Sequence, residues 1–147
     1  MYQRILVPLD GSPAAARGLR EAIDLAAEHQ ATLVLLHVIE ISALTVEWGY
    51  QEMQRRLHQD ADRVLAAGRD AAAVAGVQTE AVVREAVHSR IVDVIVEQAA
   101  RSRCDLVVMG TCGRRGVGHV VLGSNAEQVA RRSPVPVLLV RQEQAMA

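Results

Sequence analysis

The sequence predicts an α/β domain in which four helices cover a five-stranded parallel sheet, and two observations lead to this prediction. Short apolar runs, typical of strands buried on both faces, alternate with stretches whose apolar residues recur at helical spacing. Ala, Val, Leu and Ile supply nearly all of the hydrophobic half of the composition, and Phe is absent. An aliphatic interior of this kind favours parallel strands under alanine-rich helices.

The predicted strands are defined mainly by continuous apolar runs. The third run alternates only partly between apolar and polar residues, whereas the other four are apolar almost throughout. In chain order the predicted strands are residues 4–9 (RILVPL), 32–38 (TLVLLHV), 78–84 (QTEAVVR), 105–109 (DLVVM) and 135–141 (VPVLLVR).

A helix is predicted in each interval between strands. Ser12 followed by Pro13 gives the first helix an N-cap and a first-turn proline. The fourth helix opens on Ser124-Asn-Ala-Glu127, which has the spacing of a capping box, and ends before Pro134. The predicted helices run from 13 to about 29, from a start between 46 and 53 to about 76, over 91–99, and over 124–132.

Strands that alternate with helices predict right-handed crossovers and a doubly wound sheet of order 3-2-1-4-5. In that order the chain reverses direction across the sheet between strands 1 and 4, and ligands usually bind outside the carboxyl ends of these strands. Asp10 and Gly110 follow those two ends. We expect residues 1–147 to form a single domain of this kind.

Composition excludes several classes of function. The formal net charge is -1, and all 16 basic residues are Arg, so there is neither a phosphate-binding lysine of the Walker type nor a Schiff-base lysine. The charge balance offers no general attraction to nucleic acid or anionic membrane.

No apolar run is long enough to span a membrane, and no signal-peptide pattern precedes the first strand, so we expect a soluble cytoplasmic protein.

The segment from Gly110 to Ser124 contains the strongest functional signal. Its glycines allow backbone N–H groups to approach an anion, and the helix that follows adds free N–H donors and the positive end of its dipole. Arg114 and Arg115 either close over a phosphate or face solvent. The alternative is that the glycines only form turns and that Ser124 only caps its helix. Asp10, likewise, either contacts a ligand or only caps the first helix or solvates a loop.

Gly110, two residues, Gly113, nine residues, Gly123 and Ser124 reproduce a known signature. On these positions the sequence resembles the nucleotide-binding branch of the universal stress protein family. The resemblance extends to four further segments, namely RILVPLDGS, LVLLHV, CDLVVMGTCGRRG and PVPVLLV. The sequence departs from the family's usual residues at Cys112, Asn125 and Ala86-Val87-His88.

The resemblance implies an adenine nucleotide α-hydrolase-like fold with ATP across the ends of strands 1 and 4. It places Asp10 by the ribose and any bound Mg²⁺, and Val38 by the adenine. Gly110 and Gly113 then approach the ribose and phosphates. With Arg114 added from its charge, the predicted nucleotide-binding residues are Pro8, Asp10, Val38, Met109, Gly110, Gly113, Arg114, Gly123, Ser124 and Asn125.

These residues predict an ATP-binding stress or regulatory module, and the resemblance implies a homodimer formed through Val135 to Arg141. No nucleophile with a paired base is evident, so at most slow ATP hydrolysis or autophosphorylation is expected. A receptor for AMP or cyclic AMP is an alternative. A nucleotide-transforming enzyme would need a different loop sequence after strand 1. The sequence at that position is PLDGSPA. A protein that binds partners without nucleotide, through residues 40–49 and Trp48, is a further alternative.

Overall fold

The computed structural model describes residues 1–41, 49–111 and 123–142, and strands and helices alternate through them. The strands are β1 Arg4–Pro8, β2 Thr32–Ile41, β3 Thr79–Val87, β4 Leu106–Thr111 and β5 Val137–Arg141. The helices are α1 Pro13–His29, α2 Tyr50–Val74, α3 Ile91–Arg101 and α4 Ser124–Arg132.

The five strands form one parallel sheet of order β3-β2-β1-β4-β5, which confirms the predicted architecture. Each strand differs from its predicted extent by one to three residues at one or both ends. β2 continues to Ile41 and β3 to Val87, each three residues beyond its predicted end, and β4 continues two residues further, to Thr111. β5 begins two residues late, because Ser133 forms hydrogen bonds to both the N–H and the carbonyl of Val135 and so holds these residues in a turn.

Alternate residues of each central strand face two separate apolar layers. On one face Ile5, Leu33 and Leu106 pack with residues of α1 and α2. On the other face Leu6 and Val107 pack with residues of α3 and α4. Since both faces are covered, the central strands read as continuous apolar runs, which is the pattern by which the sequence predicts them.

Helix α1 lies unusually close to β4, because glycines meet at their contact. A Cβ on Gly18 would lie 2.7 Å from the amide nitrogen of Gly110, and a Cβ on Gly110 would overlap the carbonyl group of Ala14. At the start of α1, Ser12 is the N-cap, and its hydroxyl accepts the Ala15 N–H at 3.1 Å, as predicted.

The amino ends of β1 and β4 are joined by side-chain bonds. The Asp105 carboxylate accepts the N–H groups of Gln3 (2.9 Å) and Arg4 (3.1 Å), while the Asp105 N–H donates to the Arg4 carbonyl. The Arg4 guanidinium forms two hydrogen bonds to Glu80 on β3. This pairing lowers the pKa of Glu80 below its ordinary value. Among the described helices, none combines the length and apolarity that crossing a membrane requires.

Candidate functional site

A cavity of about 270 Å³ lies at the carboxyl edge of the sheet, between the ends of β1 and β4. We refer to it as the β1–β4 cavity. Eight of the ten predicted nucleotide-binding residues line it: Pro8, Asp10, Val38, Met109, Gly110, Gly123, Ser124 and Asn125. The other two, Gly113 and Arg114, lie outside the described residues, as do Cys112, Arg115 and Trp48.

The cavity exists because β1 and β4 stop pairing before they end. Their register consists of Ile5 with Leu106 and Leu6 with Val107, whereas β1 and β2 are paired at five positions. β1 nevertheless continues to Pro8 and β4 to Thr111. The sheet therefore opens between these two strands toward its carboxyl edge, at the point where the chain reverses direction across the sheet.

Asp10 is positioned by a tight turn between β1 and α1. One carboxylate oxygen, Oδ1, accepts the backbone N–H of Ser12 at 2.9 Å. Gly11 has a φ of 83°, in the left-handed region that side-chain-bearing residues rarely adopt. The Asp10 side chain is exposed and lines the cavity. Asp10 does not cap α1, whose N-cap is Ser12, but forms a local hydrogen bond in the turn before the helix. Its second oxygen, Oδ2, has no hydrogen bond within the described residues.

The predicted capping box at the start of α4 is wrong. Gly123, and not Ser124, is the N-cap, and it makes no side-chain capping bond. The Gly123 carbonyl accepts the first intrahelical hydrogen bond, from the Glu127 N–H, at 3.0 Å. Ser124 is therefore the first residue of the helix, and its hydroxyl does not accept the backbone N–H bond that a capping box requires. The Glu127 carboxylate instead pairs with Arg131 one turn later, at 2.9 Å.

This start leaves a polar, donor-rich surface on the cavity. The N–H groups of Ser124, Asn125 and Ala126 precede the first intrahelical bond of α4, and all three residues line the β1–β4 cavity. First-turn N–H groups and the positive end of the helix dipole form a favourable environment for an anion. The free first-turn N–H donors that the sequence predicts at the start of α4 are therefore present, although the cap of this helix differs from the prediction.

The opposite side of the cavity is apolar, and the sequence analysis did not identify most of it. Leu36 and Val38 contribute from β2, while Ile91 and Ile95 contribute from the first two turns of α3. These two isoleucines could have been predicted from their position in the chain. In a parallel sheet every helix that follows a strand begins at the same carboxyl edge, so an apolar i, i+4 pair at the start of α3 was a candidate for lining the cavity.

Charged side chains lie mainly beside the cavity: Glu40, Asp60 and Arg63 line an adjoining cavity that shares Asp10, Val38 and Ile91 with it. Asp10 is the single charged side chain among the described residues that line the β1–β4 cavity. No group of three or more His, Cys, Asp or Glu side chains in the described ranges is arranged to hold a metal ion. His37, in the neighbouring strand, is half-buried, and its Nδ1 is 2.8 Å from the Leu9 carbonyl, to which it donates. This is the hydrogen-bonded role expected of a histidine in an apolar strand.

Comparison with known proteins identifies the family to which this arrangement is related. The model of the universal stress protein family matches residues 1–141. A universal stress protein of Thermus aquaticus is 34% identical over 142 residues, which cover 96% of this chain and 100% of that protein. A solved member of the family from Burkholderia pseudomallei has a TM-score of 0.79 at 28% identity and covers 95% of this chain and 96% of its own.

One further solved structure is a universal stress protein in complex with cAMP. It is 28% identical to this chain, has a TM-score of 0.72, and covers 97% of this chain and 98% of its own.

Proposed function

Because the chain belongs to the universal stress protein family, we propose that it is a regulatory protein that binds an adenine nucleotide in the β1–β4 cavity. The observation that supports this proposal most directly is that the predicted nucleotide-binding residues lie around one cavity. Residues predicted from separate segments of the sequence, on β1, β2, β4 and the start of α4, line one cavity.

The two sides of the cavity fit the two ends of a nucleotide. The apolar wall of Leu36, Val38 and Ile91 suits a purine base, while the first-turn N–H groups of α4 suit phosphate oxygens. Asp10 lies at the mouth, on the turn between β1 and α1. In this arrangement the protein binds phosphate mainly with backbone groups, which agrees with the absence of lysine from the sequence.

Asp10 also fits a role in holding Mg²⁺ when ATP is bound. Mg²⁺ in phosphate sites is commonly held by one or two carboxylates together with phosphate oxygens and waters, so a single aspartate with a free oxygen suffices. The ion would neutralise part of the polyphosphate charge. Pro8 and Met109 would complete the wall of the site, and Gly113 and Arg114 remain predicted contacts from the glycine-rich segment.

A smaller cyclic or monophosphate nucleotide is the second candidate ligand. A 28% identical universal stress protein has been solved with cAMP. ATP, AMP and cAMP should therefore be compared directly by isothermal titration calorimetry on the intact protein. Absence of saturable binding for all three would refute the proposed function.

A charge substitution in the first turn of α4 tests the position of the phosphates. Ser124→Asp places a carboxylate beside the phosphate position, and an acidic residue at a helix N-terminus does not harm the helix itself. We expect nucleotide affinity to fall about tenfold or more. Gln51→Asp adds the same charge to the first turn of α2, away from the cavity, and should leave affinity unchanged. Equal affinities for both variants would contradict the proposed site.

We further propose that the protein acts as a homodimer through β5. Within the described chain β5 is a sheet edge that pairs only with β4, and Leu138 on it is 37% exposed. An apolar edge strand is a surface that needs a partner. Light scattering at micromolar concentration should give a dimer mass, and Leu138→Asp should shift it to a monomer. A monomeric wild-type protein would refute this part of the proposal.

A further inference from the structure

Two neighbouring helices contribute the two sides of the β1–β4 cavity, and they differ in how much of each is buried. Helix α3 contributes Ile91 and Ile95 to the apolar side, whereas α4 contributes the first-turn N–H donors. Five of the eleven residues of α3 are buried, but only two of the nine residues of α4, Ala126 and Val129, are buried. The position of α4 therefore depends more strongly on its polar contacts than that of α3 does.

Polar side chains join α3 to α4 at two points. Arg132, the last residue of α4, donates through Nη1 to Oδ1 of Asp93 at 2.6 Å. Arg90, the N-cap of α3, donates through Nη1 to Oε1 of Gln128 at 3.0 Å. We refer to these two contacts as the α3–α4 bridge. Both of them link side chains that are more than thirty-five residues apart in the chain, so they fix the packing of one helix against the other.

Asp93 is held firmly on α3 by a second hydrogen bond. Its Oδ2 accepts the backbone N–H of Arg90 at 3.1 Å, so both carboxylate oxygens are bonded. The hydrogen bond from Arg132, and then that from the Arg90 N–H, hold the pKa of Asp93 below its ordinary value. Asp93 is therefore a charged acceptor in a fixed position, and Arg132 must lie against it for the pair to form.

Resting on the proposed function, we infer that the α3–α4 bridge holds the first-turn N–H groups of α4 at the phosphate position, with Asp93 and Arg132 as its principal positioning residues. The bridge lies next to the cavity, because Arg90 precedes Ile91 and Gln128 is about one turn from Ser124. Its four residues are not among the described residues that line the cavity. Without the bridge, α4 is correctly placed in a smaller fraction of molecules, and the apparent nucleotide affinity falls by that fraction.

Calorimetric titration of the intact protein with AMP, and with ATP in excess Mg²⁺, tests this inference. Arg132→Gln breaks the ion pair, and we expect it to lower nucleotide affinity about three- to fivefold, which is the size of effect that an exposed pair can supply. Arg131→Gln is the matched control. It removes the same charge from the adjacent residue and breaks a 2.9 Å ion pair, but this pair, with Glu127, lies within α4. Its affinity should stay within about twofold of wild type, and equal affinities for both variants would overturn the inference.

A double-mutant cycle separates positioning from a general effect of charge. Asp93→Asn keeps an oxygen for the Arg90 N–H but no longer attracts Arg132. The double variant Asp93→Asn/Arg132→Gln should lose no more affinity than either single variant, because each of them already breaks the pair. Arg132→Lys keeps the positive charge and should recover most of the loss. Losses that simply add, or no recovery with lysine, would contradict a positioning role.

Urea unfolding without nucleotide checks that the variants are folded. Both members of the pair are partly exposed, so the midpoints should remain close to that of wild type. A large fall for Arg132→Gln would overturn the inference in favour of a general role in stability.

The outcomes also distinguish this inference from the proposed function. If the wild-type protein binds neither AMP nor ATP, the proposed function fails and the inference fails with it. If wild type binds either nucleotide and Arg132→Gln binds it equally well, the nucleotide site stands and the positioning role of the α3–α4 bridge is wrong.

Discussion

Gly110 belongs to the glycine signature, yet the structure gives it a packing role that is independent of any ligand. A Cβ added at this position would overlap the Ala14 carbonyl and lie 3.1 Å from the Ala15 nitrogen. Both neighbours are backbone atoms, so the clash cannot be relieved by rotating a side chain. Gly110→Ala must therefore displace the first turn of α1 from β4 or distort the end of β4.

The size of this effect follows from what moves with α1. The helix has seven buried residues, so its displacement loosens the layer between α1 and the sheet. Overpacking of this kind typically costs 1–3 kcal/mol, and a clash with fixed backbone belongs near the upper end, at about 3 kcal/mol. With a urea m-value of about 2 kcal/mol/M, the unfolding midpoint should fall by about 1.5 M.

Urea unfolding without nucleotide, followed by circular dichroism, measures this loss directly. Gly123→Ala is the matched control, because a Cβ on Gly123 meets no atom of the described residues within 4 Å and its backbone angles are accessible to alanine. We expect it to lower stability by less than about 1 kcal/mol. If Gly110→Ala and Gly123→Ala unfold at the same urea concentration, the close contact between α1 and β4 is incorrect.

Three further predictions concern other parts of the structure. The pKa of Glu85 is held below its ordinary value by hydrogen bonds from His58 and then Gln54, so this group stabilises the fold above the unfolded pKa and the effect is lost as pH falls through the folded value. Glu85→Gln should accordingly cost up to about 1 kcal/mol at pH 7 and progressively less as the pH is lowered in urea titrations, and a cost that does not change with pH would contradict this cause. Asp105→Ala removes the acceptor of two backbone amides at the start of β1 and should lower the free energy of unfolding by about 1 kcal/mol, with Asp105→Asn intermediate; an unchanged urea midpoint for Asp105→Ala would refute it. Burial raises the pKa of the Cys104 thiol to about 11, so in a Cys112→Ser background iodoacetamide at pH 8 should label Cys104 only after unfolding, and rapid labelling of the native protein would show that the thiol is exposed.

The sequence was sufficient to predict the sheet order and most element boundaries, because apolar periodicity directly reflects burial on two faces. It did not predict the last three residues of β2, since the exposed Glu40 interrupts the apolar run there. The boundary of β5 was also misplaced, because the turn that Ser133 makes with Val135 depends on side-chain bonds that a run of valines and prolines does not indicate.

The candidate site was predicted in part, and its missing features share one physical cause. A local pattern cannot reveal which elements cross in space. The sequence around Ser124 and Glu127 was compatible with either Gly123 or Ser124 as the N-cap. In the structure Gly123 is the N-cap and Ser124 is the first helical residue. The packing role of Gly110 depends on a helix almost a hundred residues earlier in the chain. The apolar wall from α3 likewise depends on how the sheet brings distant segments together.

The β1–β4 cavity lies between two sets of paired strands, β3-β2-β1 on one side and β4-β5 on the other. Asp105 joins the two sets at the amino edge, whereas at the carboxyl edge β1 and β4 are not paired beyond Leu6 and Val107. Helix α1 packs against strands of both sets and so spans the division on one face of the sheet. A ligand that contacts Pro8 on β1 and Met109 on β4 would therefore join the two sets at the edge where their backbone pairing is absent.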